Sequence, residues 1–225
     1  MNPLDPILLT IYLLSVFIFL MQIKSSFNDE FVIKPDDAWI THQLEKFDLK
    51  DKVKISFGFD KRYEYNKINQ FGIDVKNLTE DSSVYIDWDW SIITNWREVG
   101  TDGGLSARRM TRLNPGTTID LSQEQVFSTV APKTTFSTKV TAEDCLQRKD
   151  TPELEFKIVK PLLEFKKGKQ LSEFQAQVIE FEFFAELALR FAGLESTHSG
   201  TRFNILCRFV MTHLPWTAGL PWNPK

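Results

Sequence analysis

The N-terminal segment constrains this chain more than any other feature. Its residues 7–23 (ILLTIYLLSVFIFLMQI) carry no charge. As an α-helix they extend about 25 Å, which approaches the thickness of the hydrocarbon core of a bilayer. Pro6 suits the first turn of such a helix, where no backbone donor is lost. The sequence therefore predicts contact with a membrane through residues 4–23, within an N-terminal anchor of residues 1–24.

The alternatives to a retained anchor are a buried core helix and a cleaved signal peptide. No Lys or Arg precedes the segment, and no small-residue cleavage pattern follows it, which disfavours a signal peptide. A helix that is apolar on every side is also of little use to a β-rich domain. Lys24 and Lys34 follow the span, so the charge bias favours a single-pass protein with a cytoplasmic domain. Cys145 and Cys207 form no disulfide framework, which fits the same reducing compartment.

The charge balance disfavours nucleic acid as a partner. The chain has 27 basic and 30 acidic residues and a net charge of −3, whereas nucleic-acid-binding domains usually carry a basic excess or patch. No motif of a hydrolase, a zinc protease or a nucleotide-binding loop occurs. The histidines show no metal-ligand spacing; they are His42, His198 and His213. We therefore expect no enzyme activity, no cofactor and no bound metal.

After the anchor the pattern divides into three parts. Residues 25–50 are predicted to be a polar linker followed by a short helix that begins near Asp36. Residues 51–214 alternate apolar and polar side chains in eight or nine closely spaced strands, which is typical of an antiparallel sandwich or barrel. Residues 174–192 fit a strand and a helix alike, and the strand is favoured. Residues 215–225 form a tail rich in proline and tryptophan.

Two short basic clusters are predicted to be solvated turns or strand edges rather than phosphate sites. The first consists of Arg108, Arg109 and Arg112, and the second of Lys166, Lys167 and Lys169. The second cluster surrounds Gly168 and has the composition of a hairpin tip.

The stretch VYIDWDWS, residues 84–91, contains two aspartates between tryptophans. On a regular strand Val84, Ile86, Trp88 and Trp90 share one face, and Tyr85, Asp87, Asp89 and Ser91 share the other. This is the pattern of a half-buried strand. The chemical alternative is that Asp87 and Asp89, about 7 Å apart along the backbone, share a divalent cation. Asp-x-Asp also resembles the metal-binding motif of many nucleotide-sugar glycosyltransferases.

Residues 71–144 resemble an immunoglobulin-like β-sandwich domain found in bacterial envelope and membrane-anchored proteins. The matching positions are Asn77 and Thr79, then Ile86, Trp88, Asp89 and Ser91, then Ser106 with Arg108 or Arg109, and finally Gln125 with Val130 and Pro132. The resemblance implies a fold rather than an activity. It implies that Trp88 fills the gap between two sheets and that Asp89 binds a turn or Arg109. The chain also resembles small membrane proteins of cyanobacteria in character.

These patterns together predict an all-β, immunoglobulin-like antiparallel sandwich behind a single transmembrane helix. The predicted function is that of a non-catalytic interaction module, an accessory or assembly subunit of a membrane complex. The candidate structural or interaction residues are Trp88, Asp89, Trp90, Arg109, Trp216 and Trp222. The alternatives are a metal-dependent carbohydrate-binding or carbohydrate-processing protein that uses Asp87 and Asp89, and a purely structural membrane-organising protein.

Overall fold

The structure, a computed structural model, describes residues 5–113, 125–148, 156–192 and 200–219. In these ranges the helices are α1 (Asp5–Ser26), α2 (Asp37–Lys46) and α3 (Lys169–Gln175). The strands are β1 (Glu30–Pro35), β2 (Val53–Gly58), β3 (Tyr63–Glu64), β4 (Phe71–Asn77), β5 (Ser83–Thr94), β6 (Arg97–Glu98), β7 (Ala107–Arg112), β8 (Ser128–Val130), β9 (Thr135–Ala142), β10 (Leu146–Arg148), β11 (Phe156–Ile158), β12 (Phe181–Ala192) and β13 (Arg202–His213).

Helix α1 is the predicted apolar N-terminal helix. Its residues 6–24 have a mean hydropathy of 2.3 and are not buried against the rest of the protein. The hydroxyl groups of Thr10 and Ser15 donate to carbonyl oxygens one turn earlier, at 2.8 Å each, so these polar atoms are satisfied within the helix. The helix is thus long and apolar enough to cross a membrane, a property that signal sequences share.

Eleven of the described strands form one antiparallel, curled half-barrel sheet. The main path runs β2-β4-β9-β7-β5-β12-β13-β1-β3, while β6 pairs with β12 and β8 with β5. Strand β7 changes its pairing partner partway along its length. Its residues 107–109 pair with β5, and its residues 110–112 pair with β9. It therefore joins a large wall (β5, β12, β13, β1 and β3) to a small wall (β2, β4 and β9).

The core between the two walls is aromatic. Phe209 of β13 is fully buried, and its ring centroid lies 4.7 Å from that of Phe57 and 4.8 Å from that of Phe183. Phe71 of β4 approaches Phe209 at 5.9 Å. Because Phe57 and Phe71 belong to the small wall and the other two to the large wall, these contacts hold the curl closed.

The antiparallel β architecture behind an apolar helix is confirmed, whereas a two-sheet immunoglobulin arrangement stays a prediction. The short helix is confirmed as α2, whose N-cap Asp36 accepts from the Trp39 backbone at 3.0 Å. In the segment 174–192, the strand interpretation is confirmed from Phe181 onward, and only residues 174–175 are helical, as the end of α3.

Two local predictions are wrong. The linker of residues 25–35 contains β1, whose Phe31 and Ile33 are buried because the strand lies between β13 and β3. The lysines around Gly168 form no hairpin tip, because the chain enters α3 there instead of reversing into a strand.

Replacing Phe209 by alanine should lower the free energy of unfolding by about 3–5 kcal/mol, because it removes the ring that joins the two walls and leaves a cavity in its place. Urea unfolding of the full-length protein in mild detergent measures this. Val178→Ala, at an exposed position, is the control and should change the value by less than about 0.5 kcal/mol. Equal effects of the two substitutions would contradict the central role of Phe209.

Buried His213 makes stability depend on pH. Burial lowers the pKa of its ring below the usual value, against the opposing influence of the Asn28 carbonyl and Asp29. Since the unfolded histidine has a pKa near 6.5, the unfolded chain binds more protons below that pH, and stability falls as the pH falls. His213→Gln should flatten this dependence in unfolding curves between about pH 7.5 and about 5.5. Exposed His42→Gln should leave the slope unchanged; a slope that persists in His213→Gln would refute the assignment.

Candidate functional site

The VYIDWDWS stretch lies in β5 but is not a regular strand. Asp87 pairs with Ala188 and Ile92 with Glu186, so residues 88–91 lie opposite a single residue of β12. The Ser91 hydroxyl closes this bulge, since it donates to the Asp87 carbonyl at 2.7 Å and accepts from the Ala188 N–H at 3.1 Å. A bulge changes the direction in which side chains point.

The bulge separates the two tryptophans. Trp88 is fully buried, as its alternating position predicted, but Trp90 is 56% exposed. The prediction that Trp90 shares the buried face of Trp88 is therefore wrong, because the extra residues break the alternation between them. Trp90 instead lies under the guanidinium of Arg202, whose central carbon is 3.9 Å from the ring centroid.

Trp88 anchors the segment that leads into β8. Its indole N–H donates to the Ser128 hydroxyl at 3.0 Å, and Arg112 lies over its ring at 5.6 Å. Arg112 also donates to Ser128 and to the Val126 carbonyl, both at 2.9 Å. These bonds fix the backbone on both sides of Phe127.

Asp89 holds the same segment from the other side. Its carboxylate pairs with Arg109 and accepts the Gln125 N–H at 3.0 Å. Arg109 also lies 3.4 Å from Glu143. Burial lowers the pKa of Arg109, but the Asp89 and Glu143 carboxylates outweigh this and raise it overall. The contact between Asp89 and Arg109 that the sequence suggested is thus present.

The sequence predicted that the arginine cluster of β7 is a solvated turn or strand edge, but its guanidinium groups bind other segments of the protein. Arg108 donates to the carbonyls of Thr94 at 3.1 Å and Leu162 at 2.8 Å. Arg109 and Arg112 make the contacts described above. Each guanidinium has five donors in a planar fork, so arginine bridges segments that lie far apart in sequence.

Asp87 and Asp89 do not share a partner. Asp87 is buried and pairs with Arg190 of β12 at 2.7 Å, whereas Asp89 faces Arg109. Within the residues that the structure describes, no group of three or more His, Cys, Asp or Glu side chains is placed to hold a metal ion. The geometry assigns each carboxylate to the neutralisation of one arginine.

A surface patch, here called the distal patch, follows from these contacts. It consists of Trp90, Phe127, Arg190 and Arg202. Arg190 and Arg202 are direct cross-strand partners in the β12–β13 pair. Arg190 lies 5.3 Å from the ring centroid of Phe127, which is 46% exposed. The two arginines are thereby flanked by two exposed aromatic rings.

The distal patch lies at the end of the β12–β13 pair opposite to α1. The chain leaves α1 and enters β1, where Phe31 pairs with His213 at the last residue of β13. The patch lies at the first residue, Arg202, of the 12-residue strand β13. Eleven residue steps therefore separate the two ends, or about 36 Å at about 3.3 Å per residue. Sequence reasoning missed Phe127, Arg190 and Arg202, because only the strand register brings them to Trp90.

The predicted tail folds back in part. Residues 216–219 form a short 3₁₀ turn in which Trp216 is half-buried, and Arg62 donates to the Ala218 carbonyl. Arg62 also pairs with buried Glu30 of β1 at 3.4 Å. Trp222 lies outside the described residues, so its predicted role stays a prediction.

Comparison with known proteins adds little. No protein-family model matches the chain, and no curated protein was found to be similar to it. Among solved structures, it was matched to the X-ray structure of a Northeast Structural Genomics Consortium target, SoR45. The identity is 14%, the match covers 73% of this chain and 86% of that chain, and the TM-score is 0.29. A likeness this weak carries no argument about fold or function.

Asp89→Ala should lower the free energy of unfolding by about 2 kcal/mol, because it leaves the Gln125 N–H and part of Arg109 without an acceptor. A double-mutant cycle with Arg109→Ala in urea unfolding should give a coupling energy of about 1 kcal/mol. Asp102→Ala, in an exposed loop, is the matched control and should have little effect. Stability that depends on a divalent cation, and is lost with a chelator, would instead support the metal interpretation.

Proposed function

We propose that this protein is a non-catalytic, membrane-anchored interaction module that serves as an accessory or assembly subunit of a membrane complex. Helix α1 is the single-pass anchor, and the distal patch is the surface that binds a partner protein. The observation that carries the proposal is the position of the patch, which is at the opposite end of the β12–β13 pair from the anchor.

The residue types of the patch favour a protein partner. Tryptophan and arginine are enriched among the residues that dominate binding energy at protein interfaces. Trp90 and Phe127 leave large apolar rings in water, which a partner would cover. The bonds from Trp88, Asp89 and Arg112 hold the backbone beside both rings, so little ordering free energy would be lost on binding.

The charge of the patch indicates the chemistry of the partner. Like charges placed directly opposite each other on neighbouring strands are destabilising. Asp87 neutralises Arg190, whereas Arg202 has no ion pair with a described residue. A carboxylate from a partner would supply a counter-ion for Arg202, whose side chain is exposed. We therefore propose an acidic surface with an apolar rim on a neighbouring membrane protein.

The proposal also includes a cytoplasmic location of the domain and a relationship to immunoglobulin-like sandwich domains. A cytoplasmic domain is supported by Lys24 and Lys34 after the span, and by Cys145 and Cys207, which are buried and unpaired in the structure. A relationship to immunoglobulin-like sandwich domains is supported by Asn77, which is buried and closes the turn before β5 by donating to the Ser82 carbonyl at 2.7 Å.

Trp90→Ala combined with Arg202→Glu should abolish recovery of the partner in a mild-detergent pull-down of the full-length protein from its own membranes. The reason is that the pair of substitutions removes one aromatic anchor and reverses the charge of Arg202, which forms no ion pair with a described residue. Quantitative mass spectrometry measures the recovery. Lys54→Glu, an exposed charge reversal on β2, is the control and should keep every partner.

Two results would overturn the assignment to the patch. Partners retained in full by the double variant would exclude the distal patch. Partners lost on deletion of residues 215–225 but retained by the double variant would move the interface to the tail and its tryptophans. An unchanged unfolding curve of the double variant shows that the loss reflects binding rather than folding.

A further inference from the structure

A groove of about 890 Å³ lies between the segments 95–108 and 160–171. Basic side chains outnumber acidic ones in its lining. The basic ones are Arg97, Arg108, Lys160, Lys166, Lys167 and Lys169, and the acidic ones are Glu98, Asp102, Asp144 and Glu164. The groove is therefore a cationic feature in a chain whose net charge is −3.

The inner cations of the groove are neutralised within the protein. Arg97 pairs with buried Glu182 at 2.8 Å, and Lys160 pairs with Asp144 at 2.6 Å. Arg108 lies 3.6 Å from the same aspartate. These residues form the wall of the groove, and because they are paired they present little net positive charge to a ligand.

The lysines at the mouth of the groove are different. The side chains of Lys166 and Lys169 are 81% and 88% exposed, and their nearest carboxylates lie 3.9 and 3.6 Å away. Ion pairs this exposed contribute little. Lys167 is exposed and has no ion pair with a described residue. Three cations are thus available at one edge.

Helix α3 connects this edge to the base of the anchor. Helix α3 starts at Lys169 and ends at Gln175, and the Gln175 amide donates to the Asn28 carbonyl at 3.3 Å. Asn28 follows the last residue of α1, Ser26, by two positions. At about 1.5 Å per residue, Lys169 is about 9 Å along the helix from Gln175. A membrane that receives α1 would lie close to the three lysines.

We infer that Lys166, Lys167 and Lys169, here called the lysine edge, bind the phosphate headgroups of anionic phospholipids and hold the base of the domain on the membrane surface. The inference rests on the proposed anchoring by α1. Lysines within a Debye length of an anionic leaflet are attracted to it, and each contributes about a fivefold factor to the bound population. Val178, three residues after the other end of α3, is 72% exposed and offers an apolar side chain there.

The position of the lysine edge favours a lipid headgroup over a soluble phosphate. The three lysines are exposed on one rim rather than enclosed around a single anion, and multivalent contact with a surface suits that arrangement. The anchor would also keep the lysines close to the lipid headgroups. Weak individual contacts would then be enough to hold the base of the domain on the membrane.

The test uses the full-length protein in lipid vesicles, with a donor fluorophore on Gln170→Cys in α3. This residue is exposed, whereas Cys145 and Cys207 are buried, so labelling is selective. Energy transfer to acceptor-labelled headgroups is compared between phosphatidylcholine vesicles and vesicles that also contain phosphatidylglycerol. Transfer should be higher with phosphatidylglycerol and should fall in high salt, where the Debye length is about 3 Å at 1 M.

Lys166→Glu with Lys167→Glu and Lys169→Glu should remove the dependence on phosphatidylglycerol, with a change in the membrane-apposed population on the order of 100-fold. The matched control reverses the exposed lysines Lys54, Lys76 and Lys139 on the small wall and should keep the dependence. Equal transfer in both vesicles, or an unchanged triple variant, would overturn the inference. Saturable binding of inorganic phosphate to the groove in phosphatidylcholine vesicles would assign it to a soluble anion instead.

Flotation of the same vesicles after alkaline extraction distinguishes a failure of the anchor from a failure of the lysine edge. Protein that does not float refutes the anchoring in the proposed function. Protein that floats without a lipid-dependent change in transfer refutes the lysine edge alone.

Discussion

The contact between the two walls is the interaction on which the rest of the structure depends. Eleven strands in one sheet would expose a large apolar face unless the sheet curled over itself. Strand β7 makes the curl possible by exchanging partners midway, and the rings around Phe209 make it favourable by burying aromatic surface on both walls. The inner face of the sheet is thereby filled.

Charge pairing organises the outer face. The acids buried there each lie against an arginine from another segment: Asp87 with Arg190, Glu30 with Arg62, and Glu182 with Arg97 and Arg208. Removing one partner of such a pair leaves a charge in a poorly solvated place, which is costly. These pairs specify which strands lie side by side. The bulge in β5 then turns Trp90 outward, where its ring packs against the guanidinium group of Arg202.

The proposed functions divide the domain by distance from α1. The base, with Asn28, α3 and the lysine edge, is the end that we infer to meet the lipid surface. The distal patch is separated from it by the length of β12 and β13, so the two surfaces are available at the same time. A rigid antiparallel hairpin between them would keep a bound partner at a fixed height above the membrane.

The sequence by itself determined the features that depend on local periodicity. The uncharged run specifies α1, Asp36 caps α2, and two-residue alternation marks β2, β4 and β13. It could not determine that Phe31 to Ile33 complete the large wall, since a short apolar stretch among charges is also typical of a linker. Tertiary structure alone decided the exposure of Trp90 and the arginine partner of each aspartate. The reason is physical: a bulge and a strand register are set by hydrogen bonds between segments distant in sequence, and neither leaves a periodic signal in the chain.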